Sequence, residues 1–312
     1  MSRIRIACSR LRNRYSRLQR KTKLSAFLLS LLVIFLLSGN TVFGQKVCLL
    51  FSGNESIYQN LQILWNDDPL KVHIIDVGQG DASLIQYNGL NVLIDSGPPD
   101  SAMDLVTYLK ALGIKGLDLF ILTHPHDDHS GGAPVIFQSF RVKRLLLPHD
   151  LKEDNYILEA SVQAKAMNTE ILISHKGLQF DLGSLSMTCL HPEMVPFSDV
   201  NDYSSVWSFS LGASRLLFLA DLSSDVAEGL SLDGYSFVRS GHHGSKTSTT
   251  DSLLKSLTPR LVAISSGKGN KFGHPSTEVL ALLKAHQIPY FRTDETGTTV
   301  LSSNGRTLHR VH

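Results

Sequence analysis

The chain has 312 residues, 42% hydrophobic and 19% charged, with three cysteines: an ordinary globular composition, long enough for one large domain with a full core, and not a disulfide scaffold. Its net charge of +2 hides a split, because residues 1–44 carry nine basic side chains and no acidic one, which leaves 21 basic against 28 acidic, a net of −7, for the remainder. A body of that sign excludes tight non-specific binding to a polyanion by its overall field, so a nucleic-acid substrate would need a local basic groove or bound cations.

The basic leader Arg3 to Lys23 runs into an apolar stretch, Leu24 to Leu37, broken only by Ser25 and Ser30. Positive charge ahead of an apolar segment keeps the N-terminus in the cytoplasm and sends the downstream chain across the membrane. Val42-Phe-Gly44 offers a place for cleavage, yet counted to Phe43 the stretch reaches about 20 residues, enough to span a bilayer. Residues 1–44 therefore read as a cleaved signal peptide or an uncleaved membrane anchor. Both place the remainder outside the cytoplasm, secreted or anchored. Residues 45–70 hold the turn material Ser52-Gly-Asn54 and Asn66-Asp-Asp-Pro69 and read as a linker.

From residue 71 the pattern is that of a folded domain reaching residue 312. Strands are predicted at Val72–Val77, Ala82–Tyr87 and Asn91–Ile94, the last two joined by the hairpin signal Asn88-Gly89. A helix over Met103–Leu112 stops at Gly113. The apolar run Leu117–Leu122 comes next, then a helix over Gly131–Phe140, a strand at Leu145–Leu147, a helix over Tyr156–Met167 and a strand at Glu170–Ile173. Further strands are expected at Ser186–Leu190, Ser205–Leu211, Arg215–Ala220, Ser236–Val238 and Leu261–Ser265, with helices at Ser224–Leu230, Ser252–Leu257 and Thr277–His286 and closing strands from Tyr290. Two similar strand-then-helix halves fit two packed sheets clad by helices, an αββα sandwich.

The chemistry concentrates in Ile121-Leu-Thr-His-Pro-His-Asp-Asp-His-Ser-Gly-Gly132. His124, His126, Asp128 and His129 fall within six residues directly after an apolar run. Imidazole nitrogen and carboxylate oxygen suit zinc and other borderline divalent ions, and a loop leaving a strand end can aim several such groups at one point. Two neighbouring metals need further ligands from later in the chain. Asp221 follows the apolar strand ending at Ala220, as a ligand or as a helix N-cap would. His242 and His243 also follow a strand, and adjacent side chains on an extended chain diverge, so one is expected to ligate and the other to face substrate. Asp76 and Asp81 read as turn residues, Asp127 as a loop cap, and Cys189 as a buried core thiol.

The loop resembles the signature of the metallo-β-lactamase fold. His73-Ile-Ile-Asp-Val-Gly-Gln-Gly-Asp81, Leu93-Ile-Asp-Ser-Gly97, Ser240-Gly-His-His-Gly-Ser245 and Lys271-Phe-Gly-His-Pro275 are similar to the hydrolase domain of the ComEC DNA-uptake family. The resemblance runs from about Lys71 to the C-terminus. It implies two divalent metal ions, zinc or manganese, with Asp221 bridging them. One would take His124 and His126, the other Asp128, His129 and His243. It makes Asp95 an orienter of a metal histidine. Many members of the wider fold carry a histidine where this chain has Asn201, so the first metal has an open position that His191 could fill only from ten residues earlier. Ser245, Lys246, Asn270, Lys271 and His274 form a polar set in two loops. There Lys271 would offset phosphoryl charge, and His274 or His242 would protonate the leaving group.

The implied activity is an exported, metal-dependent hydrolase, in first place a phosphodiesterase or nuclease using a metal-bound hydroxide. Its substrate would be DNA or a phosphorylated envelope polymer. A hydrolase of esters, lactones or β-lactams, and an extracellular DNA-binding module with little turnover, are the alternatives. No obligate protein partner is evident.

Overall fold

The structure, a computed structural model, describes residues 68–149 and 154–311. The leader and nearly all of the linker lie outside the described residues. Among the described residues no helix is long and apolar enough to cross a membrane.

The first sheet opens as an antiparallel meander: β1 (Leu70–Ile74), β2 (Ser83–Tyr87) and β3 (Leu90–Ile94). Leu70, at the start of β1, pairs with Tyr87 at the end of β2. Asn88 and Gly89 both take positive φ, 46° and 85°, as the two-residue hairpin turn requires. After α1 (Ala102–Ala111), three strands add in parallel: β4 (Gly116–Ile121), β5 (Arg141–Leu147) and β6 (Glu170–Ile173). Between them lie α2 (Asp127–Ser130), α3 (Ala133–Ser139) and α4 (Asn155–Ala166). β5 is longer than the apolar pattern indicates, because its first four residues, Arg141 to Arg144, are mostly exposed and come before the apolar run begins.

The second sheet repeats the plan. β7 (Gln179–Leu182), β8 (Leu185–His191), β9 (Val206–Leu211) and β10 (Ser214–Phe218) are antiparallel, and β11 (Phe237–Arg239), β12 (Val262–Ile264) and β13 (Tyr290–Arg292) are parallel. The half-exposed β7 carries too little apolar signal to be read from sequence. α5 (Ser224–Ala227), α6 (Asp251–Leu257), α7 (Thr277–Ala285) and α8 (Thr293–Thr296) complete this half. β14 (Thr299–Ser303) then returns to the first sheet beside β1, with β15 (Leu308–Arg310) at its edge.

Three apolar clusters correspond to the three interfaces of the layered fold. Between the sheets lie Val72, Ile85, Ile94, Met187, Cys189, Trp207, Phe209 and Phe237. Leu105, Leu109, Phe120, Phe137 and Ile157 pack helices on the first sheet, and Leu217, Val238, Leu253, Ile264 and Leu283 do so on the second. Each such side chain, fully buried, contributes about 1.5–3 kcal/mol of transfer free energy. The αββα expectation holds for the described residues. Cys189 is a core thiol, pushed up to about 12 by burial.

Candidate metal centre

Most groups of the cluster come after the C-terminal end of a strand. Asp95 follows β3, Thr123 to His129 follow β4, Asp221 follows β10, His242 and His243 follow β11, and Ser265 follows β12. The backbone is bent hard here. Asp95, Ala220, His242 and His243 all have left-handed φ, between 46° and 57°. Non-glycine residues hold such angles at a cost, and they collect where a site fixes them.

Three buried histidines share one arrangement. His129 Nδ1 lies 2.8 Å from Asp95 Oδ2, His243 Nδ1 lies 3.1 Å from the Ser265 carbonyl, and His124 Nδ1 lies 3.2 Å from Thr123 Oγ1. With Nδ1 tied, each ring turns Nε2 toward Asp221. The distances are 3.3 Å from His129 to Oδ1, and 3.8 Å and 3.7 Å from His124 and His243 to Oδ2. His126 Nδ1 stands 3.1 Å from His124 Nε2, and Asp128 Oδ2 3.1 Å from His243 Nε2. Asp221 is fully buried and is not a helix cap, for Ser223 occupies that place. His129 Nε2 and Asp221 Oδ1 are buried without a hydrogen-bond partner. Two such atoms facing each other fit a cation between them.

The acids and imidazoles of the cluster shift one another. Burial alone would raise Asp221, but His129 and His243 hold its carboxyl well below the usual range. Burial is likewise outweighed at Asp128, by the His243 hydrogen bond and the charge on His129. Burial would lower His129, yet Asp221 and Asp95 raise it well above the ordinary imidazole range. Burial and the neighbouring His129 lower His124.

Two expectations need correction. Asp81 is no turn residue of convenience. It is buried, its Oδ2 and Oδ1 lie 3.8 Å from His129 Nδ1 and His243 Nδ1, and it forms an ion pair with Arg239. The divergence of His242 and His243 also fails, because neither is extended. With φ of 46° and 53°, both stay near Asp221 Oδ2, His242 Nε2 at 3.6 Å and His243 Nε2 at 3.7 Å. The two differ in exposure: the His243 side chain is 2% exposed, that of His242 27%.

Arg239 escapes a reading of the sequence alone. Its Nη1 donates to the carbonyls of Ala220, at 3.0 Å, and Ser240, at 2.7 Å. One guanidinium thus binds the backbone on either side of the β10–β11 gap and the Asp81 carboxylate. Burial lowers it to about 9, which leaves it cationic at neutral pH. Asp81, Asp95, Asp128 and Asp221 outnumber this one guanidinium, a donor set that suits divalent cations. Its only sequence signal is an arginine inside the fully buried strand Phe237-Val-Arg239. Thr123, also missed, donates backbone N–H and Oγ1 to the two oxygens of Asp95, each at 2.8 Å.

The remaining candidates sit around this centre. Asn201 lies in the segment whose Ser204 Oγ accepts from Asp221 N at 3.1 Å. His191 does not join the cluster, since its Nε2 is 2.7 Å from the Asp202 carbonyl. Ser245 bonds Thr247 Oγ1 at 2.9 Å. Asn270 spends its amide on its own loop, accepting from the N–H of Phe272 and of His274 at 3.1 Å each. The ammonium of Lys271 lies 5.2 Å over the Phe272 ring centre, and its side chain is exposed. The half-buried His274 ring packs 5.5 Å from His242 and 6.3 Å from His243. Asp76 accepts from Gly78 N, as a turn residue does, and Asp127 is exposed.

Fold and donor set together define a metal-dependent hydrolase built on a two-sheet sandwich. Residues 75–267 match the Metallo-beta-lactamase superfamily model, and the chain belongs to that superfamily. Among curated proteins it is 31% identical over 256 residues to ComE operon protein 3 of Bacillus subtilis, covering 73% of this chain and 32% of that protein. It is 30% identical to Competence protein ComA of Neisseria gonorrhoeae, covering 72% and 31%. The chain therefore spans about a third of the length of these relatives, and the resemblance to the ComEC family is borne out. Among solved structures, Igni18, a metallo hydrolase of Ignicoccus hospitalis, superposes with a TM-score of 0.50 at 15% identity, covering 75% of this chain and 99% of that one. That likeness concerns the fold.

Proposed function

We propose that this chain is an exported phosphodiesterase acting on nucleic acid. The observation that carries the hydrolytic reading is the convergence of three buried Nε2 atoms on Asp221, one of whose oxygens has no hydrogen-bond partner. The phosphodiester substrate is supported by the kinship with proteins named for competence. Export rests on the basic leader and apolar stretch of residues 1–44. A phosphorylated envelope polymer has the same bond chemistry and serves as the comparison substrate.

His124, His126 and Asp221 would hold one divalent cation, zinc or manganese, and Asp128, His129, His243 and Asp221 a second. Such cations supply Lewis acidity and activation of solvent. Asp95 and the Ser265 carbonyl hold Nδ1 of His129 and His243, so that Nε2 is the nitrogen that would face the cations once its proton is displaced. Arg239 offsets the carboxylate charge from behind. His242 and His274, the less buried rings, flank the centre; burial lowers both, so either would pass a proton to a leaving oxygen as a relay after taking it up rather than as a standing acid.

Purified protein should hydrolyse bis-p-nitrophenyl phosphate with zinc or manganese and leave nitrocefin and a lactone panel untouched. His126→Ala should lose metal and turnover together. Full turnover in a protein shown to be metal-free rejects the assignment, and preference for the lactones moves the substrate to carbonyl compounds.

A further inference from the structure

The loop after β12 carries a feature that the hydrolytic chemistry does not use. Phe272 is 57% exposed, one of the large apolar side chains left in solvent. Its ring lies nearly parallel to that of His274, at 22° and 5.9 Å between centres. His274 in turn stacks on His243 at 29° and 6.3 Å and meets His242 edge-on. Two ring-to-ring steps therefore lead from solvent to a side chain of the metal cluster.

This stack is held in place. Besides accepting from two backbone N–H groups, the Asn270 amide donates to the carbonyls of Gly267 and His274. Gly267 N donates to Gln79 Oε1 at 3.0 Å, and a Cβ on Gly267 would stand 2.5 Å from Gln79 N, so the loop is tied against the segment that ends in Asp81. Ser276 N donates to the Gly244 carbonyl, which joins the far end of the loop to the residue after His243. An exposed ring on a mobile loop would be an ordinary surface aromatic. An exposed ring fixed in register with a catalytic cluster is a preorganised surface for another flat group. The three lysines Lys246, Lys268 and Lys271 are exposed on the same two loops.

We propose that Phe272 is a stacking platform for a nucleobase beside the scissile phosphodiester, with the exposed Lys271 side chain, whose ammonium lies 5.2 Å over the ring, swinging off it to the backbone phosphate as the base takes its place. The substrate class is then single-stranded nucleic acid, since bases within a duplex already have both faces covered. Stacking of this kind tolerates any base and is worth a sizeable share of single-strand affinity. It also supplies what the acidic body lacks, a local grip that does not depend on overall charge. The inference rests on the phosphodiesterase reading and narrows it to a substrate.

The test uses the metal-loaded full-length chain and two labelled strands of equal length, one of thymidines and one with abasic spacers at the central positions. Wild type should cleave the thymidine strand faster, and Phe272→Ala should reduce that ratio of kcat/KM by about tenfold. Phe272→Trp should keep the ratio, and Phe272→Leu, which keeps most of the volume without the π face, should reduce it. Melting temperature and metal content read in parallel identify a variant that has merely misfolded, in which case Phe272→Leu alone decides. An unchanged ratio in Phe272→Ala or Phe272→Leu, or a wild type indifferent to the missing bases, overturns the platform while leaving the phosphodiesterase standing. If wild type cleaves neither strand, the hydrolytic reading falls. Quenching of a 2-aminopurine strand, lost in Phe272→Leu, would still support the platform, and its absence would overturn both.

Discussion

The two halves of the sandwich are built alike and supply the centre unlike. In each, an antiparallel meander ends in a strand that begins a parallel run, β3 in the first sheet and β10 in the second. An aspartate follows each of these strands closely, Asp95 and Asp221, with a left-handed residue at or beside it. The next strand in each half, β4 or β11, leads into histidines. Equivalent places have taken different roles. Asp95 gives its oxygens to Thr123 and His129, whereas Asp221 keeps Oδ1 free of any hydrogen bond. An acid that is saturated by neighbours orients, and an acid left partly bare can ligate.

The sharpest way to break this comparison is to remove the bare acid. Asp221→Asn should abolish stoichiometric metal binding and lower kcat/KM on bis-p-nitrophenyl phosphate by a thousandfold or more, on the order of several kcal/mol of transition-state stabilisation. Elemental analysis and kinetics on one preparation check it. Retained metal would mean that the first half holds its cation alone. Next in size is the charge behind the centre. Arg239→Met strands Asp81 in the interior and should cost about 3–5 kcal/mol in chemical denaturation, partly recovered in Arg239→Met/Asp81→Leu. Equal stability of the single variant and wild type would show that the ion pair does not hold the halves' loops. Third is the saturated acid: Asp95→Asn should leave the fold intact and weaken metal binding by about 10–100-fold, measured by competition with a chelator. A loss as complete as that of Asp221→Asn would erase the distinction between the two aspartates.

The same contrast governs what is legible in the sequence. In the first half His124, His126, Asp128 and His129 sit within one loop, so spacing alone announces them. In the second half the donors are single residues after strands, and only the approach of the β10 and β11 ends to the β4 loop gives them meaning. Asp81 reads as turn chemistry because Gly78 and Gly80 precede it, and nothing local to it says that Arg239, far along the chain, is its partner. His242 and His243 mislead for a different reason. The alternation of side chains holds for extended chains, and these two residues are left-handed, a conformation that non-glycine residues rarely advertise. Apolar runs mark strands only where both faces or one whole face is covered, so the half-exposed β7 escapes them, and the return of β14 to pair with β1 is a long-range closure that no window contains.

The smallest effect sharpens the comparison from a histidine of the first half that takes no part in the centre. His73 is as buried as His124, but both its nitrogens are engaged, Nδ1 with Tyr108 Oη at 2.7 Å and Nε2 with Gln86 Oε1 at 3.1 Å. It has no lone pair left to face a cation. Burial, against the pull of the Gln86 bond, lowers it to about 3 from an ordinary 6.5. The unfolded chain therefore takes up a proton below pH 6.5 that the folded chain refuses until about pH 3. The stability that neutral His73 contributes is complete above the upper value and is lost as pH falls toward the lower one, by about 1.4 kcal/mol per pH unit. His73→Gln has no such proton to take up. Its stability deficit relative to wild type should be largest at neutral pH and shrink by that amount for each unit of acidification. Urea denaturation of both proteins without metal, from about pH 7 to about pH 4.5, measures the gap. The other histidines titrate in both proteins and cancel in the difference. A gap that stays constant with pH would mean that His73 takes up its proton as readily in the fold as in the unfolded chain, and that burial in this half does not by itself decide which rings remain neutral.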